Sequence, residues 1–365
     1  MDLTTSEEQI LRLLRVDPLL GSEAIAQRLG TTRAAVNVHL SNLGKKGVIL
    51  GRGYVLDEDP AVVVIGGANM DIKARSRASA VPGSSNPGTA LISPGGVGRN
   101  VAENLARLGT RTHLVASVGS DDLGEQLLSA TQAAGVHVEH VRRGAKATGT
   151  YTAIVDADGE MIVAVADMTA TDDLPPVQLD RARDVLATAS FLILDGNLST
   201  ETLSYALDLA QQYGVRVLLD PVSVPKAGVL SPVIRTDRPI HTVTPNRGEL
   251  AALTGLPTKS SRQVAKASEV LHARGVEWVW VRLGERGSIL SGHGEQQRIE
   301  SVPTAVADVT GAGDAMSAAY CHELLRDRTP LEAATFAHAA AALTIASEHT
   351  VRPDLTDHLV RRITR

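Results

Sequence analysis

The segment AVVVIGG, residues 61–67, is apolar and β-branched and ends in two glycines. That composition is typical of a strand buried on both faces of a parallel sheet. Helix-like stretches separate it from later runs of the same kind, and this alternation predicts an α/β fold with a mostly parallel sheet covered by helices on both faces. Ligands in such sheets bind at the carboxyl ends of the strands, which here are rich in Asp, Asn and Gly. The later runs are HLVASVG (113–119), FLILDGN (191–197), VRVLLDP (215–221), HTVTPN (241–246) and VEWVWVRLG (276–284).

Two segments interrupt the alternation, residues 72–94 and residues 148–168. Both look like strands joined by turns, and the second alternates like a half-exposed hairpin that turns at Asp158–Gly159. We expect a small β-sheet that projects from the α/β body, either as a lid over the site or as a dimer surface.

The composition limits the class of protein. A length of 365 residues favours two domains, and a net charge of −5 gives no chain-wide signature of nucleic-acid binding. An aromatic content of 2% disfavours stacking platforms for single strands. Cys321 is the single cysteine, so an internal disulfide is excluded, and the start has neither a signal peptide nor a membrane-spanning run. We therefore expect a cytoplasmic protein without membrane partners.

Residues 1–56 look like a unit of their own. The pattern predicts three short helices, the first capped by Ser6, and a hairpin over VILGRGYVL (48–56), which together resemble a winged helix-turn-helix. Seven Lys/Arg against five Asp/Glu is a faint basic excess, so DNA binding competes with a role in dimerisation or protein docking. A linker at 57–60 would precede a second domain over 61–365. The candidate DNA contacts on the third helix are Thr32, Arg33, Asn37, His39 and Lys45.

Polar residues follow the first strand in GGANMDI (66–72) and glycines precede a helix in SPGGVGRN (93–100). Asn69 and Asp71 could grip vicinal hydroxyl groups, although Asn and Asp in loops are usually turn formers. The glycine segment lacks the Lys-Ser/Thr ending of a phosphate-binding P-loop. Its closeness to Asn69 and Asp71 in the sequence gives it weight as part of a site.

Three later segments carry further candidates. In TPNRGEL (244–250), Glu249 either supports the helix dipole from the first turn or holds magnesium through water. Gly284 and Gly287 form a turn that could pass close to a nucleotide. ADVTGAGDAMSAA (307–319) places Asp314 after small residues at a predicted helix start, where backbone N–H groups favour an anion. Asp314 is then either a helix cap or a reagent.

These pieces in this order resemble the ribokinase (PfkB-type) family of sugar and nucleoside kinases, from residue 61 to the C-terminus. The family signatures Gly-Gly-x-Gly-x-Asn and Asp-x-x-Gly-Ala-Gly-Asp correspond to Gly95–Asn100 and Asp308–Asp314. The resemblance implies a ribokinase-like fold with a β-sheet lid. It also implies phosphorylation of a primary hydroxyl with MgATP, K⁺ or a similar monovalent cation, and a homodimer.

The resemblance also implies residue roles. Asp314 corresponds to the base, and the backbone of Gly311, Ala312 and Gly313 with that of Asp314 corresponds to the anion hole. We expect the helix dipole to keep Asp314 ionised. The other implied roles are the hydroxyl clamp at Asn69, Asp71, Gly95, Gly96 and Asn100, the ATP and magnesium segment at Asn246 and Glu249, the adenine-side turn at Gly284 and Gly287, and the cation site at Asp308 and the Thr310 backbone.

Finer details resemble the members of the family that act on a nucleoside, with pseudouridine as the implied substrate. Val97 and Arg99 stand where ribokinases usually have lysine and alanine. We therefore include Arg99 among the substrate-binding candidates, with Asn86, Asp167 and Asn197 as contacts to the base or ribose. Carboxylate and amide acceptors suit the two ring N–H donors of a pseudouracil, although turn or strand-end roles are the alternative. A transcription regulator that uses the kinase domain as a ligand sensor is the competing interpretation.

Overall fold

The apolar run at 61–67 forms a strand, Ala61–Ile65, in which all five residues are buried. The structure, a computed structural model, describes residues 3–49 and 60–364. The chain divides into two units, Met1–Asp59 and Pro60–Arg365. Within the described ranges, no helix combines the length and the apolar character needed to cross a membrane.

The strands of the larger unit are numbered along the chain. They are β1 Ala61–Ile65, β2 Asn69–Ser76, β3 Gly88–Gly95, β4 Arg111–Val115, β5 Ser117–Gly119, β6 Arg142–Gly144, β7 Gly149–Val155, β8 Met161–Asp167, β9 Phe191–Asp195, β10 Arg216–Asp220, β11 Ile240–Val243, β12 Val276–Arg282, β13 Ser288–Gly292 and β14 Glu295–Ile299.

The helices are numbered in the same way over both units. They are α1 Thr5–Val16, α2 Ser22–Leu29, α3 Arg33–Lys45, α4 Val97–Arg107, α5 Asp122–Ala133, α6 Thr169–Asp172, α7 Arg183–Thr188, α8 Thr200–Tyr213, α9 Val224–Leu230, α10 Arg247–Thr254, α11 Ser261–Ala273, α12 Ala312–Leu324, α13 Pro330–Ile345 and α14 Asp357–Ile363. Short 3₁₀ turns lie at Pro176–Ala182, Ser231–Val233 and Gly284–Arg286.

The central sheet has eight strands in the order β14-β13-β12-β11-β10-β9-β1-β4. The strands from β12 to β4 pair in parallel, and β13 and β14 add an antiparallel edge. Successive residues of β1 face opposite sides, because side chains alternate along a strand. Val62 and Val64 belong to the apolar core that also includes residues of α4, α12 and α13, whereas Val63 and Ile65 belong to the core on the other face, with residues of α8, α10 and α11. The α/β fold predicted from the sequence is confirmed.

The two segments that interrupt the alternation contribute the strands of one separate four-stranded sheet, ordered β3-β2-β7-β8. β2 pairs with β7 in parallel, and the outer pairs β2/β3 and β7/β8 are antiparallel. Large apolar side chains on the outer strands are exposed, including Leu91 (59%), Met161 (59%) and Val165 (64%). We call this four-stranded sheet the lid.

In the described part of the smaller unit, residues 3–49, three helices pack around an apolar core of their own. The α1 helix begins one residue before the predicted cap: Thr4, not Ser6, is the N-cap, and Glu7 completes a capping box with it. Lys46 Nζ contacts Glu7 Oε2 at 2.8 Å and ties the end of α3 to α1. Most of the predicted hairpin over 48–56, and residues 57–59 of the linker, lie outside the described residues.

Candidate active site

The glycine turn at 311–313 is the start of α12. Gly311 is the N-cap with φ +80°, a left-handed conformation that glycine adopts without strain, and a Cβ there would overlap with Thr350 O. Among the described residues no side chain caps this turn, and the first bond within the helix runs from Ala315 N to Gly311 O (2.9 Å). The N–H groups of Gly313 and Asp314 therefore remain available to an anion.

Asp314 lies in the first turn of α12 and is held from another helix. Asn100 Nδ2 donates to Asp314 Oδ2 at 2.9 Å, and Asn100 itself is 4% exposed on α4. Although part of Asp314 is exposed, its carboxylate is removed from water, and this burial raises its pKa to about 8. The direction is opposite to the one we expected from the helix dipole. Arg282 and the Asn100 hydrogen bond oppose the shift, whereas Asp220 and Asp195 add to it.

The end of β1 fits tightly against the start of α4. Asp195, at the end of β9, accepts from Gly67 N (2.8 Å) and Asn197 N (2.8 Å). A Cβ on Gly98 would collide with the backbone of Gly66, and one on Gly96 would collide with Gly67. The predicted glycine segment therefore has glycine where two backbones meet.

Asn69 and Asp71 lie at the start of β2 beside this junction. Asn69 Nδ2 donates to Asp71 Oδ1 at 2.7 Å, and burial raises the pKa of Asp71. Gly95 pairs with Asn69 across the sheet, and a Cβ on it would overlap with the Asp71 carboxylate. The structure thus brings these three predicted residues together.

A buried ion pair between Arg282 and Asp220 packs against the first turn of α12. Arg282, at the end of β12, contacts Asp220 Oδ2 at 2.9 Å with side-chain exposures of 15% and 4%, and it also donates to Thr244 O. Asp220 Oδ2 further accepts from Thr244 Oγ1 and Ser317 Oγ, both at 3.2 Å. A Cβ on Gly313 would lie 2.5 Å from Arg282 Nη1, so this glycine leaves the guanidinium room beside the helix start.

Two family models match the sequence of this chain. The sequence model of the pfkB family carbohydrate kinases matches residues 59–357, and that of the winged helix-turn-helix DNA-binding family matches residues 3–49. The chain belongs to the pfkB family of carbohydrate kinases.

Curated relatives support the assignment over most of their length. The uncharacterized sugar kinase YeiI of Escherichia coli is 35% identical over 97% of this chain and 97% of its own length. The pseudouridine kinase of E. coli is 35% identical over 82% of this chain and 95% of its own length.

Solved structures give the same result for the kinase unit. A carbohydrate kinase from Agrobacterium tumefaciens superposes with a TM-score of 0.73 at 30% identity, covering 84% of this chain and 97% of its own. Arabidopsis thaliana ribokinase, in complex with ribose and ATP, superposes with a TM-score of 0.74 at 27% identity, covering 84% and 99%. The chain therefore has the ribokinase-like fold and is a sugar or nucleoside kinase of this family.

Arg99 lies buried on α4, next to Asn100. Arg99 is 4% exposed and forms an ion pair with Glu103. Its guanidinium group also donates to Thr131 Oγ1 (3.1 Å) and Pro94 O (3.3 Å). It also donates to Asn100 Oδ1 at 3.3 Å, which orients the amide that holds Asp314. These contacts favour a positioning role for Arg99 over the substrate contact we expected.

Glu249 and Asn246 form a reciprocal capping box at the start of α10. Glu249 Oε2 and Oε1 accept from Asn246 N (2.8 Å) and Asn246 Nδ2 (2.6 Å), and Glu249 N donates to Asn246 Oδ1 (2.9 Å). Of the two interpretations of Glu249, these contacts favour the helix-supporting one. Gly287 likewise has a local reason, since it has φ +77° and a Cβ would overlap with Ile299 O, and Gly284 has φ +63° in the same turn.

The three candidate nucleoside contacts lie in different settings. Asn86 is exposed and closes its own turn with Val81 and Ser84, and Asp167 is exposed and accepts from Thr169 N (3.0 Å). Both match the turn or strand-end alternative. Asn197 faces the β1 junction, with its Nδ2 2.9 Å from the Cβ position of Gly67, and accepts from Lys226 Nζ. Asn197 is thus the one of these three candidates that lies against the glycine junction between β1 and α4.

Asp308 carries a cationic partner from this chain. Its Oδ1 accepts from Thr310 N (2.9 Å) and Thr310 Oγ1 (2.6 Å), and Lys73 Nζ on β2 donates to its Oδ2 at 3.1 Å. The Lys73 ammonium group thus already neutralises the carboxylate expected to bind a monovalent cation.

In the smaller unit, four of the five candidate DNA contacts are exposed. Thr32 caps α3 by accepting from Ala35 N (3.2 Å), and Arg33, Asn37 and Lys45 face solvent on that helix. The expectation that His39 is exposed is wrong. It is half-buried, and its Nδ1 is buried with no hydrogen-bond partner among the described residues.

Sequence reasoning missed Asp195, Asp220, Arg282 and Lys73. A signal existed for the first three, because each stands at the carboxyl end of a predicted strand, where α/β proteins bind ligands. No local signal marks Lys73, whose partner lies on a distant segment.

Proposed function

We propose that this kinase transfers the γ-phosphoryl group of ATP to the 5′-hydroxyl of a nucleoside, with pseudouridine as the leading substrate. The observation that carries the proposal is Asp314, held by Asn100 beside the uncapped first turn of α12. The 35% sequence identity to the pseudouridine kinase of E. coli, over 82% of this chain, supports pseudouridine as the substrate. The same identity to the sugar kinase YeiI keeps a sugar or another nucleoside as the alternative.

In the proposed reaction the substrate hydroxyl oxygen attacks the γ-phosphorus in line. Asp314 takes the hydroxyl proton, the bond between the γ-phosphorus and the bridging oxygen breaks, and ADP leaves. The N–H groups of Gly313 and Asp314 face the charge that builds on the transferring group, and they need no reorganisation to do so. Arg282 Nη1 adds a fixed positive charge at Gly313, where the sequence alone gave no cation.

The hydroxyl clamp of the proposal is Asn69 with Asp71, closed from the other side by Gly95 and Gly96. Because both side chains are already bonded to each other, they present oriented acceptors to vicinal hydroxyls. Asn197, at the same junction, is the proposed contact to the nucleoside base or ribose.

Magnesium bound with ATP would neutralise phosphate charge. Asn246 and Glu249 stand at the strand end proposed to face ATP, but both Glu249 oxygens serve the α10 cap, so we derive no step through a magnesium ion held there. Nor do we derive one through potassium at Asp308, because Lys73 supplies a cation to it.

The deciding experiment is a coupled ADP-release assay with MgATP and KCl on pseudouridine, uridine, ribose and adenosine. We expect turnover selective for pseudouridine and lowered at least about 100-fold in Asp314→Asn. The matched control is Glu269→Gln, an exposed acid on α11, which should keep full activity. Turnover selective for ribose or adenosine would contradict the substrate and leave the kinase proposal standing.

A second function, DNA binding by residues 1–56, is supported by the family match at 3–49 and by the exposed side chains on α3. We expect Arg33→Ala and Lys45→Ala each to weaken binding to duplex DNA and to reduce its salt dependence by roughly one ion. Asp314→Asn should leave DNA binding unchanged. DNA binding equal to that of unaltered protein in both α3 variants would favour the docking interpretation.

We further propose a homodimer formed through the lid, whose outer strands expose apolar side chains. Val165→Lys on the edge strand β8 should yield monomers in light scattering, whereas Val229→Lys, an exposed valine on α9, should not.

A further inference from the structure

Two histidines face each other across the free edge of the central sheet. His113 is in the middle of β4, the outermost strand, and His137 follows α5 and bridges to it. Leu114 N donates to His137 O and His137 N donates to Thr112 O, both at 2.9 Å. These backbone bonds fix the two Cα positions, so the proximity of the side chains does not depend on a flexible loop.

The side chains form a compact cluster. The rings of His113 and His137 stack with centroids 4.5 Å apart, and the His140 ring is 6.0 Å from His113. Glu139 Oε1 lies 3.5 Å from His137 Nδ1. One ligating atom from each of His113, His137 and Glu139 falls within 4.8 Å of the others. The cluster shares no residue with the candidate active site.

His113 is the informative member. It is 5% exposed, and its Nδ1 is buried with no hydrogen-bond partner in the described part of the chain. A buried ring nitrogen without a partner is unfavourable unless something outside the protein chain satisfies it. The unpartnered ring nitrogen of His113 can offer its lone pair to a metal ion.

We propose that His113, His137 and Glu139 bind a zinc-like transition-metal dication, with a fourth position left to water. Two imidazoles and a carboxylate are a ligand set that zinc accepts, and imidazole also suits copper and nickel. Tetrahedral bonds of about 2.1 Å would place the ligand atoms about 3.4 Å apart. The cluster must contract to reach that spacing, and the His137 and Glu139 side chains, 44% and 63% exposed, have room to move.

The bound ion would add a side-chain link to the two backbone hydrogen bonds that already join the segment after α5 to the edge strand. Because an ion that binds only the folded chain stabilises it, thermal stability should rise with zinc while the turnover number is unchanged. The proposal is independent of the proposed substrate.

The test uses the full-length chain without an affinity tag, freed of metal by a chelator. Zinc is titrated against a chromophoric zinc indicator, and Co²⁺ is added separately to record the visible absorption of a tetrahedral site. We expect one zinc per chain at micromolar affinity or tighter. His113→Asn and His137→Asn should each weaken binding at least tenfold and remove the cobalt spectrum.

The matched control is His293→Asn, which removes a histidine whose Nε2 lies 3.6 Å from Glu277 but which has no second histidine beside it among the residues that the structure describes. It should bind zinc as the unaltered chain does. If His113→Asn fails to fold, the exposed variants His137→Asn and Glu139→Gln carry the test. Zinc affinity unchanged in those variants, or no binding tighter than that of an unrelated surface histidine, would overturn the proposal.

Discussion

The starts of α10 and α12 lie at the same edge of the central sheet, and each has an acid in its first turn. At α10 the acid is part of a helix cap, because Glu249 and Asn246 satisfy each other's hydrogen-bonding groups and those of the helix end. At α12 no side chain caps the turn among the described residues, and Asn100 holds Asp314 instead. An acid at a helix start is therefore a structural cap in one case, and in the other it caps nothing and is held by a second helix, as the proposed base would need to be.

The largest expected effect comes from exchanging the two acids for their amides. Asp314→Asn should lower kcat by about 10²- to 10⁴-fold, the usual contribution of a general base, while the ADP-release assay on Glu249→Gln should change less than threefold, because glutamine also completes a capping box. A comparable loss in both variants would contradict the distinction between the two helix starts.

Removal of Arg282 tests the support beneath α12. Arg282→Met leaves the Asp220 carboxylate buried without its cation, and we expect about 3 kcal/mol less unfolding free energy in urea titrations. The double variant Arg282→Met/Asp220→Asn should recover part of this loss, since it also removes the stranded charge. A double variant less stable than Arg282→Met alone would show that the pair acts through something other than charge.

The pH profile separates the two acids in another way. Because the pKa of Asp314 is raised to about 8, kcat/KM should rise about tenfold per pH unit below pH 8 and level off above it. Stability follows the opposite sign: the folded chain holds this proton more tightly than the unfolded chain, so the Asp314 contribution declines between about pH 4 and pH 8. Denaturant titrations of Asp314→Asn should show this decline abolished.

A smaller effect is expected at the α10 cap itself. Asn246→Ala removes the acceptor for Glu249 N and should lower the unfolding free energy by about 1 kcal/mol. A higher KM for ATP with no decrease in unfolding free energy would instead favour the nucleotide-binding interpretation of Asn246. Thermal unfolding and ATP titrations on the same preparation distinguish the two.

The smallest effect concerns Lys73. The exposed Lys73–Asp308 contact should contribute less than about 1 kcal/mol to stability. Lys73→Ala removes the ammonium group beside Asp308. We therefore expect the rate of ADP release by this variant to depend on KCl more strongly than that of the unaltered chain. Lys266→Ala, on α11, is the control, and equal KCl dependence of all three proteins would contradict a cationic role for Lys73.

The sequence predicted those parts of the site that depend on local pattern. The strand runs, the glycines at backbone junctions and Asp314 at a helix start each leave a mark within a few residues. Arg282 and Asp220 were missed because their pairing depends on the register of β10 and β12, which join the sheet on either side of β11. The Thr4 cap was missed because Ser6 was assigned as the cap, although Thr4 and Glu7 have the spacing of a capping box.

The hydrogen bond from Asn100 to Asp314 joins residues 214 positions apart. During synthesis α4 is complete long before Asp314 leaves the ribosome, whereas the described core of α1–α3 is made of residues within 3–49. Domains emerge and fold in order from the N-terminus. The nascent chain thus passes through a stage in which these three helices can pack while Asn100 has no Asp314 to hold, and the site proposed for phosphoryl transfer is assembled only after α12 has emerged.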